Sequence, residues 1–442
     1  MKIVMINPSW EHVTKKGKRY NRVWPPLSLL YSATMLKEKG HDVCVLDLNA
    51  KHISNDALKK VAQGCKIFIT TSTIDRWQCP YLDIKQAEKL FDLLKDEELY
   101  LIGAHGTEMP EYFLKRYNIK AVIISEPELT IMDICSKDLK EIEGIAYKSN
   151  NTIIKNNKRV LMDLGELPTP DYSMLALDRY NYELLEKNFM IFELSRGCPF
   201  KCVYCYHGMF QGKYRTRPVE KLIKDIETAV EIYGVKNAYI IDMEMTINRP
   251  GVIDLCNFLI KKNYDFKWCC LTRPDSVDHE LLKLMKKAGC KLIHFGVETG
   301  SPRIMQLINK RITHEKIEAG IKLTKEAGIE TACFFMFGLP SETDEEMQMT
   351  IDFAKKINPT YASFHTTALY PGTKLFEMAN EEISLPYKEA YTKEHSLAKL
   401  RNVTRRAFIS FYLRPRYIFS RIATFDIVSL RKQLASFVRF IK

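Results

Sequence analysis

The interpretation of this chain starts from Ser195-Arg196-Gly197-Cys198-Pro199-Phe200-Lys201-Cys202-Val203-Tyr204-Cys205. Cys198, Cys202 and Cys205 have the spacing C-x3-C-x2-C. Thiolates are the usual ligands of iron–sulfur clusters, and a 4Fe–4S cube has four irons to ligate. Three neighbouring cysteines would therefore leave one iron open to another ligand. A zinc site is the alternative, but zinc usually takes paired C-x2-4-C knuckles, and no second knuckle pairs with this one.

This spacing resembles the signature of the radical SAM enzymes, in which the open iron binds the amino and carboxylate groups of S-adenosylmethionine (SAM). Tyr204 fits the aromatic position before the last cysteine in that family. The resemblance covers about residues 1–380 and is most specific at 195–205, 292–300 and 334–343. It implies a 4Fe–4S cluster held by Cys198, Cys202 and Cys205, with SAM at the open iron.

The bulk composition is that of a globular protein. The chain has 442 residues, enough for two or three domains of roughly 100–200 residues each. Its first residues read as a strand, because the charged residues Glu11 and Lys15 interrupt any signal-peptide core. We therefore expect a cytoplasmic protein whose twelve cysteines are thiols or metal ligands. No apolar run approaches the ~18 residues of a membrane span.

The positive charge is concentrated at one end of the chain. The formal charge is +12, and the last fifty residues contain twelve Lys or Arg against Glu394 and Asp426. The rest of the chain is close to neutral. A nucleic-acid partner, which would need a broadly basic surface, is not indicated.

Residues 1–140 predict an α/β domain with a doubly wound, flavodoxin- or Rossmann-like sheet, because short apolar strands alternate with amphipathic helices. Ligands of such sheets bind beyond the carboxyl ends of the strands. The candidate binding residues in those loops are Pro8, Ser9, Thr71, Ser72, Gly103, His105, Gly106, Thr107 and Glu126.

These loops resemble the cobalamin-binding domain that precedes many radical SAM domains, and the resemblance implies that the nine loop residues bind cobalamin. Gly103 and Gly106 would allow the backbone to approach a large planar ring. The cobalamin signature Asp-x-His-x-x-Gly is missing, so no protein histidine is expected below the cobalt. A flavodoxin-like domain that has lost its cofactor, or binds another one, is the alternative.

Residues 141–185 are predicted to be a connector, with a hairpin near 142–154 and a proline-rich stretch at 167–171. Residues 186–385 repeat strand–helix units, which predicts a β/α barrel or part of one. Six units would make the partial (β/α)6 barrel of radical SAM enzymes. Sites in such barrels lie at the carboxyl ends of the strands.

The strand ends of this predicted barrel contain residues suited to SAM. Asp242 or Glu244 could accept hydrogen bonds from the ammonium, and Arg273 or the Lys310–Arg311 pair could meet the carboxylate. Glu298 could bind the ribose hydroxyls. The predicted SAM-binding set is Tyr204, Asp242, Glu244, Arg273, Glu298, Lys310, Gly338, Leu339 and Pro340. Five other cysteines are predicted to be buried core thiols: Cys256, Cys269, Cys270, Cys290 and Cys333.

Residues 386–442 predict a basic helical region, with helices over 397–416 and 418–441. One interpretation is a helical cap on the barrel. The other is peripheral contact with an anionic membrane at its inner face.

The resemblance implies an enzyme that reductively cleaves SAM to a 5′-deoxyadenosyl radical, most simply for cobalamin-dependent methylation of an unactivated carbon. Radical cyclisation or ring rearrangement is the alternative reaction, and a non-catalytic cobalamin or metal sensor is the alternative class. The implied partners are a small-molecule or lipid-linked substrate and an electron donor of the flavodoxin or ferredoxin type.

Overall fold

The computed structural model describes residues 1–10, 23–415 and 417–419. Two large sheets dominate this part of the chain. One has seven strands and is built from the N-terminal third. The other has six strands, and the cysteine motif follows its first strand. The α/β class expected from the sequence is confirmed.

The first sheet has the order β2-β1-β3-β4-β5-β6-β7, and its first five strands are parallel. Its strands are β1 Lys2–Asn7, β2 Asp42–Asp47, β3 Lys66–Thr70, β4 Glu98–Ile102, β5 Ile119–Ile123, β6 Ile145–Ser149 and β7 Thr152–Lys155. The helices between them are α1 Leu27–Glu38, α2 Asn55–Ala62, α3 Lys85–Leu93, α4 Ala104–Glu108, α5 Pro110–Arg116 and α6 Glu128–Ile134.

Helices cover both faces of this sheet because its strand residues are apolar on both sides. Ile67 and Ile69 pack in one core, with residues of α2, α3 and α5. Their neighbour Phe68 points to the opposite face and packs with α1 and α6. Successive side chains of a strand alternate between faces, so nearly continuous apolar strands produce two cores.

The hairpin predicted in the connector belongs to this sheet. Strand β6 pairs antiparallel with β5, and β7 pairs antiparallel with β6. The predicted domain boundaries at 140 and 185 stay a prediction.

The second sheet consists of six parallel strands in chain order. They are β10 Phe189–Phe192, β13 Asn237–Ile240, β14 Lys267–Thr272, β15 Cys290–Glu298, β16 Glu330–Phe337 and β17 Tyr361–Thr366. Two short hairpins flank the first strand, β8 Asn181–Tyr182 with β9 Glu186–Lys187 and β11 Ser195–Arg196 with β12 Arg215–Thr216. The remaining helices are α7 Val219–Glu231, α8 Arg249–Lys262, α9 His279–Lys287, α10 Pro302–Leu307, α11 His314–Glu326, α12 Asp344–Ile357, α13 Lys374–Ala379 and α14 Leu397–Tyr412.

The carboxyl ends of the second sheet's strands face one edge, because every strand is parallel to its neighbours. The cysteine motif follows β10 and therefore lies at that edge. The five predicted core thiols, from Cys256 to Cys333, are all buried, so that prediction is confirmed.

Helix α14 covers the last strand of the second sheet. It buries Leu400, Val403, Ala407 and Phe411. The Tyr412 hydroxyl donates to the Ala362 carbonyl and accepts from the Ala362 amide, both at 2.9 Å, so it satisfies backbone groups of the edge strand β17. This half of the basic region forms a cap. The second predicted helix lies almost entirely outside the described residues.

Among the described residues, no helix combines the length and the apolarity needed to span a bilayer.

Candidate functional site

The cysteine loop is held in a shape that requires glycine. Gly197 has φ +80°, and a Cβ atom there would lie 1.9 Å from the Lys213 carbonyl oxygen. The close approach arises because β11 pairs with β12, which brings residues 195–196 against 215–216. A left-handed backbone and direct backbone contact leave no room for a side chain at position 197.

The three motif cysteines lie together at the strand ends. Cys198 is buried, and Cys202 and Cys205 are half-buried. Burial raises the pKa of the Cys198 thiol to about 11, and it also raises the pKa of Cys205. Within the described ranges, no three His, Cys, Asp or Glu side chains are grouped around one metal-ion position. A single zinc ion would need its ligands around one point, whereas each thiolate of a 4Fe–4S cube binds a different iron.

Asp242 follows the second strand of this sheet and supports the cysteine loop. Its carboxylate accepts from the Leu194 amide at 2.7 Å and from the Ser195 hydroxyl at 2.5 Å. Burial raises the pKa of Asp242 to about 7, although these hydrogen bonds act in the opposite direction. In the described structure Asp242 therefore positions the start of the loop.

Glu244 is the second predicted carboxylate, and it joins two strand ends. It accepts from the Arg273 amide at 2.7 Å and from the Ser276 hydroxyl at 3.0 Å, and it also bonds the Thr272 hydroxyl. Burial raises its pKa. Asp242 and Glu244 thus both have protein partners at this edge, and their binding of the SAM ammonium stays a prediction.

Arg273 has partners that the sequence did not indicate. Its guanidinium forms two bonds to the Asp275 carboxylate, at 2.9 and 3.0 Å, and donates to the carbonyls of Lys310 and Arg311 at 2.7 and 3.1 Å. It also lies 4.0 Å from the ring centroid of Phe200, inside the cysteine loop. Arg273 therefore connects the cysteine loop to the 310–311 turn, and its role as a ligand of the SAM carboxylate stays a prediction.

A buried ion pair lies beside the aromatic residue of the motif. Lys310 donates to Glu298 at 3.1 Å and to the Tyr204 hydroxyl at 3.3 Å. Burial acts to lower the pKa of Lys310, but the attraction of Glu298 and of Cys202, together with the hydrogen bond to Glu298, outweighs it and the pKa is raised. A Cβ atom at Gly296 would lie 2.4 Å from a Glu298 carboxylate oxygen and 2.7 Å from the Lys310 ammonium. Glycine at 296 makes room for this pair.

The fifth strand ends in a turn closed by its own glutamate. The Glu342 carboxylate accepts from the Gly338 amide at 2.7 Å and from the Leu339 amide at 3.1 Å. Burial raises its pKa to about 7. A Cβ atom at Gly338 would lie 2.6 Å from Leu400 of α14, and Pro340 is buried next to this turn. The predicted adenine-binding backbone is thus packed under the C-terminal cap.

The loops at the first sheet's carboxyl edge are made of small, buried groups. The Thr71 hydroxyl donates to the Ile102 carbonyl at 3.2 Å, and the Ser72 hydroxyl accepts from the Ala104 amide at 2.9 Å. Gly103 has φ +113°, and a Cβ atom there would lie 2.8 Å from the Thr71 hydroxyl. Pro8 is buried and Ser9 half-buried where β1 ends.

His105 and Gly106 are explained by packing within the chain. The His105 ring is buried, lies 2.8 Å from the Tyr81 carbonyl oxygen through Nε2, and stacks on Tyr387 at a centroid distance of 4.7 Å. Burial lowers its pKa to about 4. A Cβ atom at Gly106 would lie 2.8 Å from Val122 of the sheet. The binding of cobalamin by either residue stays a prediction.

Glu126 belongs to a buried charge cluster that sequence reasoning missed. Its carboxylate pairs with Arg196 at 3.2 Å and with Arg215. Arg196 also bonds Glu128 at 2.8 Å and Glu193 at 2.9 Å, and its side chain is fully buried. Arg196 stands in the cysteine motif and Glu126 is one of the candidate loop residues, but only the fold shows that they meet.

The sequence of the chain is similar to one protein family model and to several known proteins. Residues 192–354 match the family model described as the radical SAM superfamily. The chain is 32% identical to an uncharacterized methyltransferase of Pyrococcus horikoshii, over 96% of this chain and 95% of that protein. The chain belongs to the radical SAM superfamily. A second relative of this radical SAM enzyme is the anaerobic magnesium-protoporphyrin IX monomethyl ester cyclase of Rubrivivax gelatinosus, 28% identical over 88% of this chain and 72% of that protein.

Two solved structures share the fold of this radical SAM enzyme. The methyltransferase TsrM of Kitasatospora setae, with cobalamin and a 4Fe–4S cluster bound, superposes with a TM-score of 0.69 at 17% identity, over 86% of this chain and 74% of that chain. The enzyme OxsB, with aqua-cobalamin and SAM bound, gives a TM-score of 0.75 at 17% identity, over 99% of this chain and 72% of that chain.

Proposed function

We propose that this radical SAM enzyme is a cobalamin-dependent methyltransferase acting on an unactivated carbon of a small molecule. The observation that carries the proposal is a juxtaposition within the fold. The loops at the carboxyl ends of the first sheet's strands lie against the segment that directly follows Cys205. A cofactor on either set of strand ends would therefore face the other.

Three contacts define this juxtaposition. The Ser125 hydroxyl, after β5, donates to the Met209 carbonyl at 2.6 Å. The Thr107 hydroxyl, in α4, lies 3.3 Å from the Met209 sulfur. Tyr206, the residue after Cys205, donates to Glu108 at 2.6 Å. The charge cluster of Arg196 and Glu126 adds a fourth connection.

The cysteine loop suits a 4Fe–4S cluster in its surrounding charge as well as in its spacing. A cube with three thiolate ligands carries net negative charge. The cations of Arg273 and Lys310 both lie within electrostatic reach of Cys202. Positive charge beside the thiolates stabilises such a cluster at a site with limited access to water.

The strand ends suit SAM because they offer both charge types around the open side of the loop. Lys310 can attract a carboxylate, and the carboxylates of Glu244 and Glu298 can accept hydrogen bonds. Tyr204 brings this group next to the motif through its bond to Lys310.

The first sheet's edge offers shape and aromatic surface for cobalamin. Trp10 stacks on Tyr81 at a centroid distance of 4.2 Å, and His105 stacks on Tyr387 beside them. The Nδ1 atom of His105 is buried without a hydrogen-bond partner among the described residues. Small loop residues beside flat rings suit a large planar ligand better than a phosphate, which would need exposed amides or cations.

When bound, the reduced cluster and SAM supply the 5′-deoxyadenosyl radical, and cobalamin supplies the methyl group. The protein's own residues would bind these cofactors, orient them and shield them from solvent. Asp242 fixes the entry to the cysteine loop, Arg273 fixes its middle through Phe200, and the Glu298–Lys310 pair fixes Tyr204. The charge cluster around Arg196 holds the strand ends of the first sheet against those of the second sheet.

Radical cyclisation is the second candidate, since the relative from Rubrivivax gelatinosus is a cyclase that matches 88% of this chain. It predicts no methyl gain in the product. Membrane contact through the basic region 386–442, and with it a lipid-linked substrate, stays a prediction.

The test is anaerobic reconstitution with iron, sulfide and cobalamin, followed by reduction in the presence of SAM labelled in its methyl group. The proposal expects bound corrinoid, 5′-deoxyadenosine, and label recovered in the corrinoid fraction. Corrinoid and deoxyadenosine without transferred label would favour the cyclase. A protein that binds no corrinoid would contradict cobalamin dependence in either form.

A further inference from the structure

Acidic residues are absent from the two stretches of sequence that surround the cysteine thiols. Residues 194–219 contain five Lys or Arg and no Asp or Glu, and residues 299–314 contain three Lys or Arg and again no Asp or Glu. The chain outside its last fifty residues is otherwise close to neutral. The positive charge at this site is therefore local.

Three of these cations are exposed and lie on one continuous surface. Lys201 donates to the Gly212 carbonyl at 2.7 Å, which places it beside Lys213. The Asn309 side chain donates to the Lys201 carbonyl at 2.8 Å and accepts from Arg311 at 2.8 Å. We refer to Lys201, Lys213 and Arg311 as the cationic patch.

The patch adjoins Cys202 of the cysteine loop. Cys202 follows Lys201 directly, is half-buried, and its sulfur lies 3.9 Å from the Asn309 carbonyl oxygen. The loop thus comes near the surface between Lys201 and Arg311.

The three cations have no carboxylate partner among residues 1–10, 23–415 and 417–419, in contrast to the other basic residues of the same stretches. Arg196, Arg215 and Arg217 pair with buried carboxylates. Arg303 pairs with Glu346, and Lys310 with Glu298. The unpaired charge is therefore confined to the three exposed residues.

We propose that the cationic patch is the docking surface for an acidic, one-electron donor protein. The inference rests on the proposed cluster at Cys198, Cys202 and Cys205, which needs one electron for each cleavage of SAM. Complementary charge raises the rate at which two proteins meet and orients them, with little need for a large apolar interface. One electron passes from the reduced flavin of the donor to the oxidised cluster, and the flavin is left oxidised by one electron.

The experiment uses the reconstituted holoenzyme and a fully reduced flavodoxin, an acidic flavoprotein. The rate of cluster reduction is followed by anaerobic stopped-flow absorbance at low and high salt. In the double variant Lys213→Glu with Arg311→Glu, the second-order rate should fall at least tenfold at low salt, and the difference from wild type should shrink at high salt. The matched control reverses the exposed charges of Lys59 and Lys60 on α2 and should leave the rate unchanged.

Reduction by dithionite separates docking from damage to the cluster. At high salt, where the negative charge of dithionite is screened, the patch variant should be reduced by dithionite at the wild-type rate. Equal slowing with both reductants, or an unchanged rate with flavodoxin, would overturn the proposal. Binding of oxidised flavodoxin, measured by calorimetry, does not require a cluster. This binding should be weaker in the patch variant than in the wild type, whether or not the wild type assembles a cluster. Failure of the wild type to assemble a cluster would count against the proposed function alone.

Discussion

The carboxyl edges of the two sheets are built from opposite kinds of residue. The edge of the six-stranded sheet is rich in charged side chains that the protein has already paired, such as Glu298 with Lys310 and Arg273 with Asp275. Apart from the Glu126 and Glu128 carboxylates, which pair with Arg196, the edge of the seven-stranded sheet is rich in hydroxyls, glycines and aromatic rings, with hydroxyls that bond backbone groups. The first suits a small, charged ligand held by electrostatics, and the second suits a large, mostly neutral one held by shape.

The pairing at the first of these edges also shows that charged groups there are fixed before a ligand arrives. Buried charges are stable only when paired. A ligand can therefore exchange partners with Lys310 or Glu244 without leaving either group unpaired. This preorganisation lowers the cost of holding reactive groups in place. The following predictions test the contrast between the two edges, in order of decreasing effect.

The largest effect should come from the cysteine loop. Cys202→Ala should abolish 5′-deoxyadenosine formation and lower the iron content, because the cube loses one of its three protein ligands. Binding of corrinoid, measured by absorbance, should be retained. Cys44→Ala, at the edge strand β2, is the control and should keep both signals. Deoxyadenosine from the Cys202 variant would show that the ligand assignment is wrong.

The ion pair at the same edge is the next target. Gly296→Ala would place a methyl group against both Glu298 and Lys310, and separating a buried pair costs about 3–5 kcal/mol. We expect SAM binding to weaken by at least about tenfold, equivalent to ~1.4 kcal/mol, with iron content retained. Equilibrium dialysis with labelled SAM measures the affinity. Gly165→Ala, where the nearest contact would be 3.3 Å, is the control. Unchanged affinity would remove the ion pair from the SAM site.

A smaller effect should follow from loosening the cysteine loop. Arg273→Lys keeps the charge but loses the planar fork and the contact with Phe200. In metal-free protein, the alkylation rate of Cys202 should rise by about fivefold, equivalent to ~1 kcal/mol, as measured by peptide mass spectrometry. Phe200→Leu should give a similar rise, and the double variant should show less than the sum of the two effects. Arg249→Lys, in an exposed ion pair with Asp278, serves as the control. If Arg273→Lys leaves Cys202 as protected as wild type, Arg273 does not position the loop.

The smallest effect on the reaction concerns the edge of the seven-stranded sheet, where the change appears only in stability. The folded-state pKa of His105 is lowered to about 4, below its ordinary value of 6.5. Below pH 6.5 the unfolded chain therefore binds a proton that the folded chain refuses, so the stability present above pH 6.5 is lost as the pH falls towards 4.

His105→Gln should remove this slope, worth about 2 kcal/mol between pH 6.5 and 5. Urea unfolding of the metal-free protein at pH 7.5 and 5.0 measures it. The exposed His279→Gln is the control. A slope that persists in the His105 variant would show that other groups cause it.

Much of the architecture could be read from the residues. Alternating strands and helices predicted the α/β class. The buried apolar residues 67–69 of β3 show the reason, since apolar side chains on both faces of a strand require helices on both sides of the sheet. Local pattern also marked the cysteine loop, because a C-x3-C-x2-C spacing carries its chemistry within eight residues.

The partners of the charged residues could not be read in the same way. The sequence by itself determined that Asp242, Glu244, Arg273 and Glu298 stand at successive strand ends, because strand periodicity is local. Only the tertiary structure decided that Arg273 contacts Phe200 and that Arg196 pairs with Glu126, seventy residues away. The reason is physical: a long charged side chain can reach several strand ends or loops, and the packing of the two sheets selects which one lies within bonding distance.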